Sequence, residues 1–254
     1  MVSPKKHLGQ HFLKDRNIAS KIVGLLGEEA ETVCELGPGT GVLTSFLLER
    51  DSIRQLILID IDTESVDYLT NHFSDERLRI LQADFLKTDL ASVSKQGFHL
   101  IGNFPYNISS QIFFKVLENR NIIPEVVCMI QKEVAERIVA SPGSKTYGIL
   151  SVLLQTWYDI EYGFTVGEGV FIPPPKVKSA VIRLSRNTTE QLQCDEELFF
   201  RVVKTAFGQR RKTLRNALRP MLRDELLELK ILGQRAEQLD KAQFEELTRL
   251  IGNP

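Results

Sequence analysis

Asn103-Phe104-Pro105-Tyr106 is the stretch of the chain whose residue types point most directly to chemistry. The amino group of a nucleobase is a poor nucleophile because its lone pair is delocalised into the ring. Carbonyl oxygens from the Asn103 side chain and the Phe104 backbone could together accept both amino hydrogens and hold the nitrogen toward tetrahedral geometry as it attacks. Pro105 fixes φ and stiffens the turn, and Tyr106 offers a ring on which a base can stack. The same four residues could equally be a plain turn at a strand end, so their meaning depends on what surrounds them.

Three further strand ends supply that company. Glu35-Leu36-Gly37-Pro38-Gly39-Thr40-Gly41 follows a buried run and precedes a helix, so Gly37 and Gly39 let the backbone turn tightly against a ligand. Thr40-Gly41-Val42-Leu43 breaks the dinucleotide fingerprint Gly-x-Gly-x-x-Gly, and no Gly-Lys-Ser/Thr follows for a nucleoside triphosphate. Asp60 stands about 20 residues beyond the glycines, where an acid accepts from ribose hydroxyls. Asp62, two residues further on, suits helix capping. Asp84 ends the next strand, placed to accept from an adenine amino group. Gly, Asp, Asp and Asn at consecutive strand ends would surround one nucleoside-like ligand.

The elements that must position these residues are legible as hydrophobic runs. Strands are expected at Thr32–Leu36, Leu56–Asp60, Leu78–Gln82, His99–Gly102 and Val126–Ile130, alternating with helix-period stretches, which is the pattern of a parallel sheet with crossover helices. A helix is expected near 16–26 and another over Ile149–Thr156; Trp157–Val166 and Val177–Leu184 read as extended. From about Asp195 only helices are expected: Leu198–Phe207, Lys212–Leu222, a short one near Asp224–Leu232, and Phe244–Ile251. The polar stretch Asn187–Cys194 marks the expected boundary, giving a domain of residues 1–187 with an N-terminal arm and a helical domain of 188–254.

Charge is segregated behind a net value of -1. Residues 198–223 carry eight cations, Arg210, Arg211, Lys212 and Arg215 among them, without one acid, and that balance suits phosphate binding rather than an ordinary solvated face. Cys34, Cys128 and Cys194 are too far apart for a Cys-x-x-Cys site, and His7 and His11 lack a third ligand near in sequence, so neither a disulfide nor a metal is expected. The sequence has no apolar run long enough to span a membrane and no secretory pattern, which leads to the expectation of a cytoplasmic protein; a monomer is the default.

Several segments in order resemble the bacterial small-subunit (16S) ribosomal RNA adenine N6,N6-dimethyltransferases. They are Gly9-Gln10-His11-Phe12-Leu13, Glu35 to Thr44, Asn103 to Asn107, Gln131-Lys132-Glu133, Phe171 to Ser179, and Ala206 to Asn216. The resemblance implies a Rossmann-like class I methyltransferase domain with a mostly parallel seven-stranded sheet, plus a smaller C-terminal all-helical domain. It implies S-adenosyl-L-methionine as cofactor, held by His11, Leu13, Gly37, Gly39, Asp60, Asp84 and Asn103. Asn103, Phe104, Pro105, Tyr106 and Phe171 would hold the target adenine, and the partner would be small-subunit rRNA in a pre-30S particle. The family usually has Glu at Asp60, often Asn at His11, and Leu at Phe104. Alternatives are the large-subunit rRNA dimethyltransferase of antibiotic resistance, a DNA adenine methylase, and a non-catalytic assembly factor; the run Gln209 to Asn216 favours the small-subunit enzyme.

Overall fold

A computed structural model of the chain describes residues 2–252. Its strands are β1 (Phe12–Leu13), β2 (Thr32–Leu36), β3 (Gln55–Asp60), β4 (Leu78–Gln82), β5 (His99–Asn103), β6 (Glu125–Gln131), β7 (Tyr158–Val166), β8 (Phe171–Ile172) and β9 (Ser179–Arg186). Seven form one sheet in the order β4-β3-β2-β5-β6-β9-β7. The neighbours from β4 through β6 are parallel, and β9 runs antiparallel to β6. The runs at β2, β3, β5 and β6 are almost continuously buried, as strands covered on both faces must be. The chain winds outward from β2 through β3 and β4, then returns to β5 on the other side. That reversal opens a crevice at the carboxyl ends of β2 and β5.

The opposite end of the sheet is tied down by Glu125. Its buried carboxylate accepts from His99 Nδ1 at 2.8 Å, from Arg183 Nε at 2.6 Å, and from the Gly27 amide. Burial pushes this carboxyl up, but His99, Gly27 and Arg183 outweigh it and hold the group below the usual glutamate range.

The chain divides into two compact units. Among the described residues, one contains 2–135 together with Ile160–Arg186; the other contains Glu136–Asp159 and 187–252. The single cut expected at residue 187 therefore misses 136–159, and the reason is packing. Trp157 meets Phe199 edge-on at 6.1 Å and stacks on Phe200 at 5.6 Å, while Tyr147 lies 6.2 Å from Phe207. These aromatics join the core of the helices Glu196–Gly208 and Lys241–Gly252. Gly143 N donates to the Glu237 carbonyl at 2.6 Å, closing the same unit. The helix expected over Lys212–Leu222 is only Leu214–Ala217 followed by a 3₁₀ turn, because Pro220 lacks the amide that a continuing helix needs. The segment near 224–232 likewise forms two 3₁₀ turns.

Candidate active site

The ends of β2, β3, β4 and β5 meet around a cavity of about 230 Å³. Its wall includes Gly37, Gly39, Asp60, Asp84, Asn103, Phe104, Pro105 and Tyr106, and residues 7–12 of the N-terminal arm complete it. Gly37 and Gly39 both adopt left-handed φ, 66° and 56°. At Gly39 the space is also taken: a Cβ there would lie 2.8 Å from the Phe12 ring. The Asp60 carboxylate is only 6% exposed and accepts from the amides of Asp62 at 2.9 Å and Gly39 at 3.3 Å. Burial raises its pKa above the usual aspartate value, with those two amides opposing. Asp84 accepts from the Leu86 amide at 3.0 Å and lies 3.5 Å from Lys87 Nζ. Asp62 lies beyond the end of β3, where it caps the helix Thr63–His72 and pairs with Lys5.

Asn103 is held in one orientation. Its Nδ2 donates to the His11 carbonyl at 2.8 Å, which leaves Oδ1 buried with no partner. A buried acceptor without a donor costs about 1–3 kcal/mol, so it marks a place where a ligand N–H belongs. Beside it the Tyr106 hydroxyl shares a hydrogen bond of 2.5 Å with Ser179 Oγ, and the Tyr106 ring stacks on His11 at 5.5 Å. The Phe104 ring turns away into the core, edge-on to Phe113 at 6.1 Å, while its amide donates to the Met129 carbonyl at 3.0 Å. The aromatic side chain at this position is thus a packing choice, and the backbone remains at the cavity.

The structure does not bring every expected residue to the cavity. Leu13 is buried and lines a small cleft of about 30 Å³ under the glycine loop, together with Glu35, Pro38 and Asn103. Phe171 is 1% exposed, sits opposite Leu13 in the β1–β8 pair and belongs to the core, so its ring does not face a base in this conformation. In the helical unit, Arg211, Lys212 and Arg215 are exposed, whereas Arg210 donates to the Ser144 and Lys145 carbonyls. Ser179 and Phe12 are residues at the cavity to which the sequence reading gave no role, although both fall within segments of the family resemblance. Their partners stand 73 and 27 residues away, and β1 and β8 are too short to show a period.

A family model for ribosomal RNA adenine dimethylases matches residues 1–251. The chain belongs to the ribosomal RNA adenine dimethylase family. Its relatives include the ribosomal RNA small subunit methyltransferase A of Parabacteroides distasonis, 57% identical over 98% of this chain and 94% of that protein. The protein of the same description from Cytophaga hutchinsonii is 55% identical over 98% of both. Among solved structures, a dimethyladenosine transferase from Plasmodium falciparum superposes with a TM-score of 0.78 at 25% identity, covering 95% of this chain and 96% of that one. The 23S rRNA methyltransferase ErmE superposes at 0.67 and 24% identity, over 92% and 98%, a likeness of fold.

The dimethylase is thus an rRNA methyltransferase with a Rossmann-like class I methyltransferase fold, and its cofactor is S-adenosyl-L-methionine. The cavity suits that group: the glycine cradle allows close approach, Asp60 and Asp84 offer acceptors for hydroxyl and amino groups, and Asn103 Oδ1 waits for a donor. Among the described residues no cluster of three or more His, Cys, Asp or Glu is disposed to hold a metal ion, and no helix is long and apolar enough to cross a membrane.

Proposed function

We propose that this dimethylase adds two methyl groups to N6 of each of two adjacent adenines in a hairpin near the 3′ end of small-subunit rRNA, within a pre-30S particle during cytoplasmic ribosome biogenesis. The names and 51–57% identities of the relatives support the small subunit over the large. The single observation that carries the chemistry is the buried, unpartnered Asn103 Oδ1 in the cavity wall.

His11, Gly37, Gly39, Asp60 and Asp84 would hold the cofactor, which would supply an electrophilic methyl group on a sulfonium. Asn103 Oδ1 and the Phe104 carbonyl accept the adenine amino hydrogens and draw the nitrogen lone pair out of conjugation. Because Asn103 Nδ2 is committed to the His11 carbonyl, the amide cannot flip and present a donor instead. Tyr106, steadied by Ser179 and His11, gives the extruded base a stacking surface. The methylated ammonium is acidic and loses its proton to water, so no strong general base is needed. After one transfer a single N–H remains to be held, so the second methylation leans on one acceptor fewer.

We further assign RNA contact to the exposed cations of the helical unit and treat the protein as a monomer. Phe171 would contact the base only if β8 moves. The test is incubation of undermethylated small subunits with labelled S-adenosyl-L-methionine, followed by mapping of the modified bases. Asn103→Ala is expected to reduce methyl transfer at least roughly 100-fold, the scale of losing one preorganised acceptor, while cofactor affinity changes only a few-fold. Near-normal turnover by Asn103→Ala would remove the mechanism.

A further inference from the structure

The segment between β8 and β9 has no part in the chemistry described above. Residues 172–178 read Ile-Pro-Pro-Pro-Lys-Val-Lys, and all but Pro175 are exposed. Ile172 is 53% and Val177 44% exposed, so two of the four exposed large hydrophobic side chains among the described residues fall within seven positions. Their clustering, rather than the exposure of either one, calls for a cause.

The register of the β1–β8 pair sets the direction of Ile172. Phe12 lies opposite Ile172 and Leu13 opposite Phe171. Directly opposed residues of an antiparallel pair share a face. One face, Leu13 and Phe171, is buried in the core; the other carries Phe12, whose ring closes over Gly39 in the cofactor cavity, and Ile172, which remains open. The segment is fastened beside the site at both ends. His11 Nδ1 donates to the Pro173 carbonyl at 2.7 Å, and Ser179 Oγ bonds the Tyr106 hydroxyl. Lys132 N also donates to the Lys178 carbonyl at 2.9 Å. Three prolines restrict the backbone between these anchors. Lys176 and Lys178 are exposed on either side of Val177, and residues 171–186 contain no acid.

Exposed apolar side chains near both ends of a proline-stiffened segment, one of them flanked by lysines, beside the ring that would receive a base, match the chemistry of a nucleic-acid strand. Extruding a base leaves its neighbours unstacked, and inserted apolar side chains can cover the exposed base faces. We propose that Ile172 and Val177 form a wedge that packs against the nucleotides flanking the extruded adenine, with Lys176 and Lys178 on the adjacent phosphates. The inference rests on the reading that the substrate is an rRNA adenine, and it adds a contact that this reading does not contain.

The test uses the full chain with undermethylated small subunits, and with the target hairpin carrying 2-aminopurine beside the target adenine. In the double variant Ile172→Ser/Val177→Ser, both exposed side chains shrink without a loss of core, and the affinity for S-adenosyl-L-methionine is expected to stay at the parent value. KM for the RNA is expected to rise roughly tenfold, the scale of one lost stacking contact, and the change in 2-aminopurine fluorescence on binding is expected to shrink. Ile172→Leu/Val177→Leu restores both. An unchanged KM and fluorescence response in the double Ser variant overturns the wedge, as does a defect that appears only with protein-containing particles and not with the bare hairpin, since that would mean a protein partner. If the parent protein itself transfers no methyl to small subunits, it is the reading of function that has failed, and the two failures are told apart by that control.

Discussion

Glu35 is the residue on which the glycine loop closes, and it is an acid with almost no access to water. Its carboxyl accepts from Thr44 Oγ1 at 2.6 Å. Burial pushes its pKa up to about 8; the Thr44 bond opposes the rise and the charge of Asp60 adds to it. The sign of the effect on stability follows from proton counting. Between the ordinary glutamate value and about 8 the folded protein holds a proton that the unfolded chain has lost, so stability falls as pH rises through that window. Asp60, also raised by burial, contributes in the same direction. Urea unfolding of the ligand-free protein from pH 5 to pH 8 is therefore expected to show a declining midpoint. Glu35→Gln, which keeps an acceptor for Thr44, is expected to flatten the decline by up to ~1.4 kcal/mol per pH unit. An unaltered slope in Glu35→Gln would mean that this carboxyl is ionised inside the fold.

At the scale of elements, the N-terminal arm forms one wall of the cavity, and under the proposed function it would strap down the cofactor. Residues 7–12 line the cavity, and the arm is lashed at its start by Lys5 to Asp62 and, at 3.3 Å, to Glu64. Gln10 Nε2 reaches Asp62 at 3.3 Å, and Gln10 Oε1 accepts from the Lys5 amide at 2.8 Å. Lys5 is solvent-accessible, so the pair is modest in strength, and its loss should show in cofactor exchange rather than in folding. Lys5→Ala is expected to speed release of S-adenosyl-L-methionine roughly threefold while the thermal midpoint stays put; stopped-flow release at low and high salt checks this, and a rate equal to the parent's contradicts it. Only the family resemblance marked the strap, at Gly9 to Leu13; its ties at Lys5 and Gln10 were not legible, because they span 52 to 57 residues and β1 is two residues long. The strand ends that carry Gly37, Asp60 and Asn103 were legible, since buried runs stop there at residues that packing does not explain, and Asp84 follows the half-buried β4 in the same way. Phe171 shows the limit of a motif: the pattern marks the residue, but only the register with Leu13 reveals which way its ring faces.

For the whole molecule, the net charge of -1 conceals how few cations are available to a polyanion. Of the eight in residues 198–223, Arg219 is paired with Asp224 at 3.0 Å and Arg223 lies 3.9 Å from Glu225. Arg210 is spent on the Ser144 and Lys145 carbonyls and stands 3.7 Å from Glu237, so it ties the segment around 144 into the helical unit. Arg201 and Lys204 are exposed on the preceding helix, Lys204 over the Phe200 ring at 5.9 Å, and Arg211, Lys212 and Arg215 form an exposed group with no acid nearby in sequence. A set of about three phosphate contacts predicts that log affinity for rRNA falls with log salt at a slope of roughly -2 to -3. The two kinds of arginine should then separate in experiment. The triple variant Arg211→Gln/Lys212→Gln/Arg215→Gln is expected to flatten the slope by about two units or more and leave thermal stability alone. Arg210→Gln, which strands two carbonyls, is expected to lower the melting temperature while changing the slope by less than about one unit. Filter binding across a salt series and thermal unfolding of both variants decide the matter, and a triple variant with the parent's slope would relocate the RNA contact to another part of the surface.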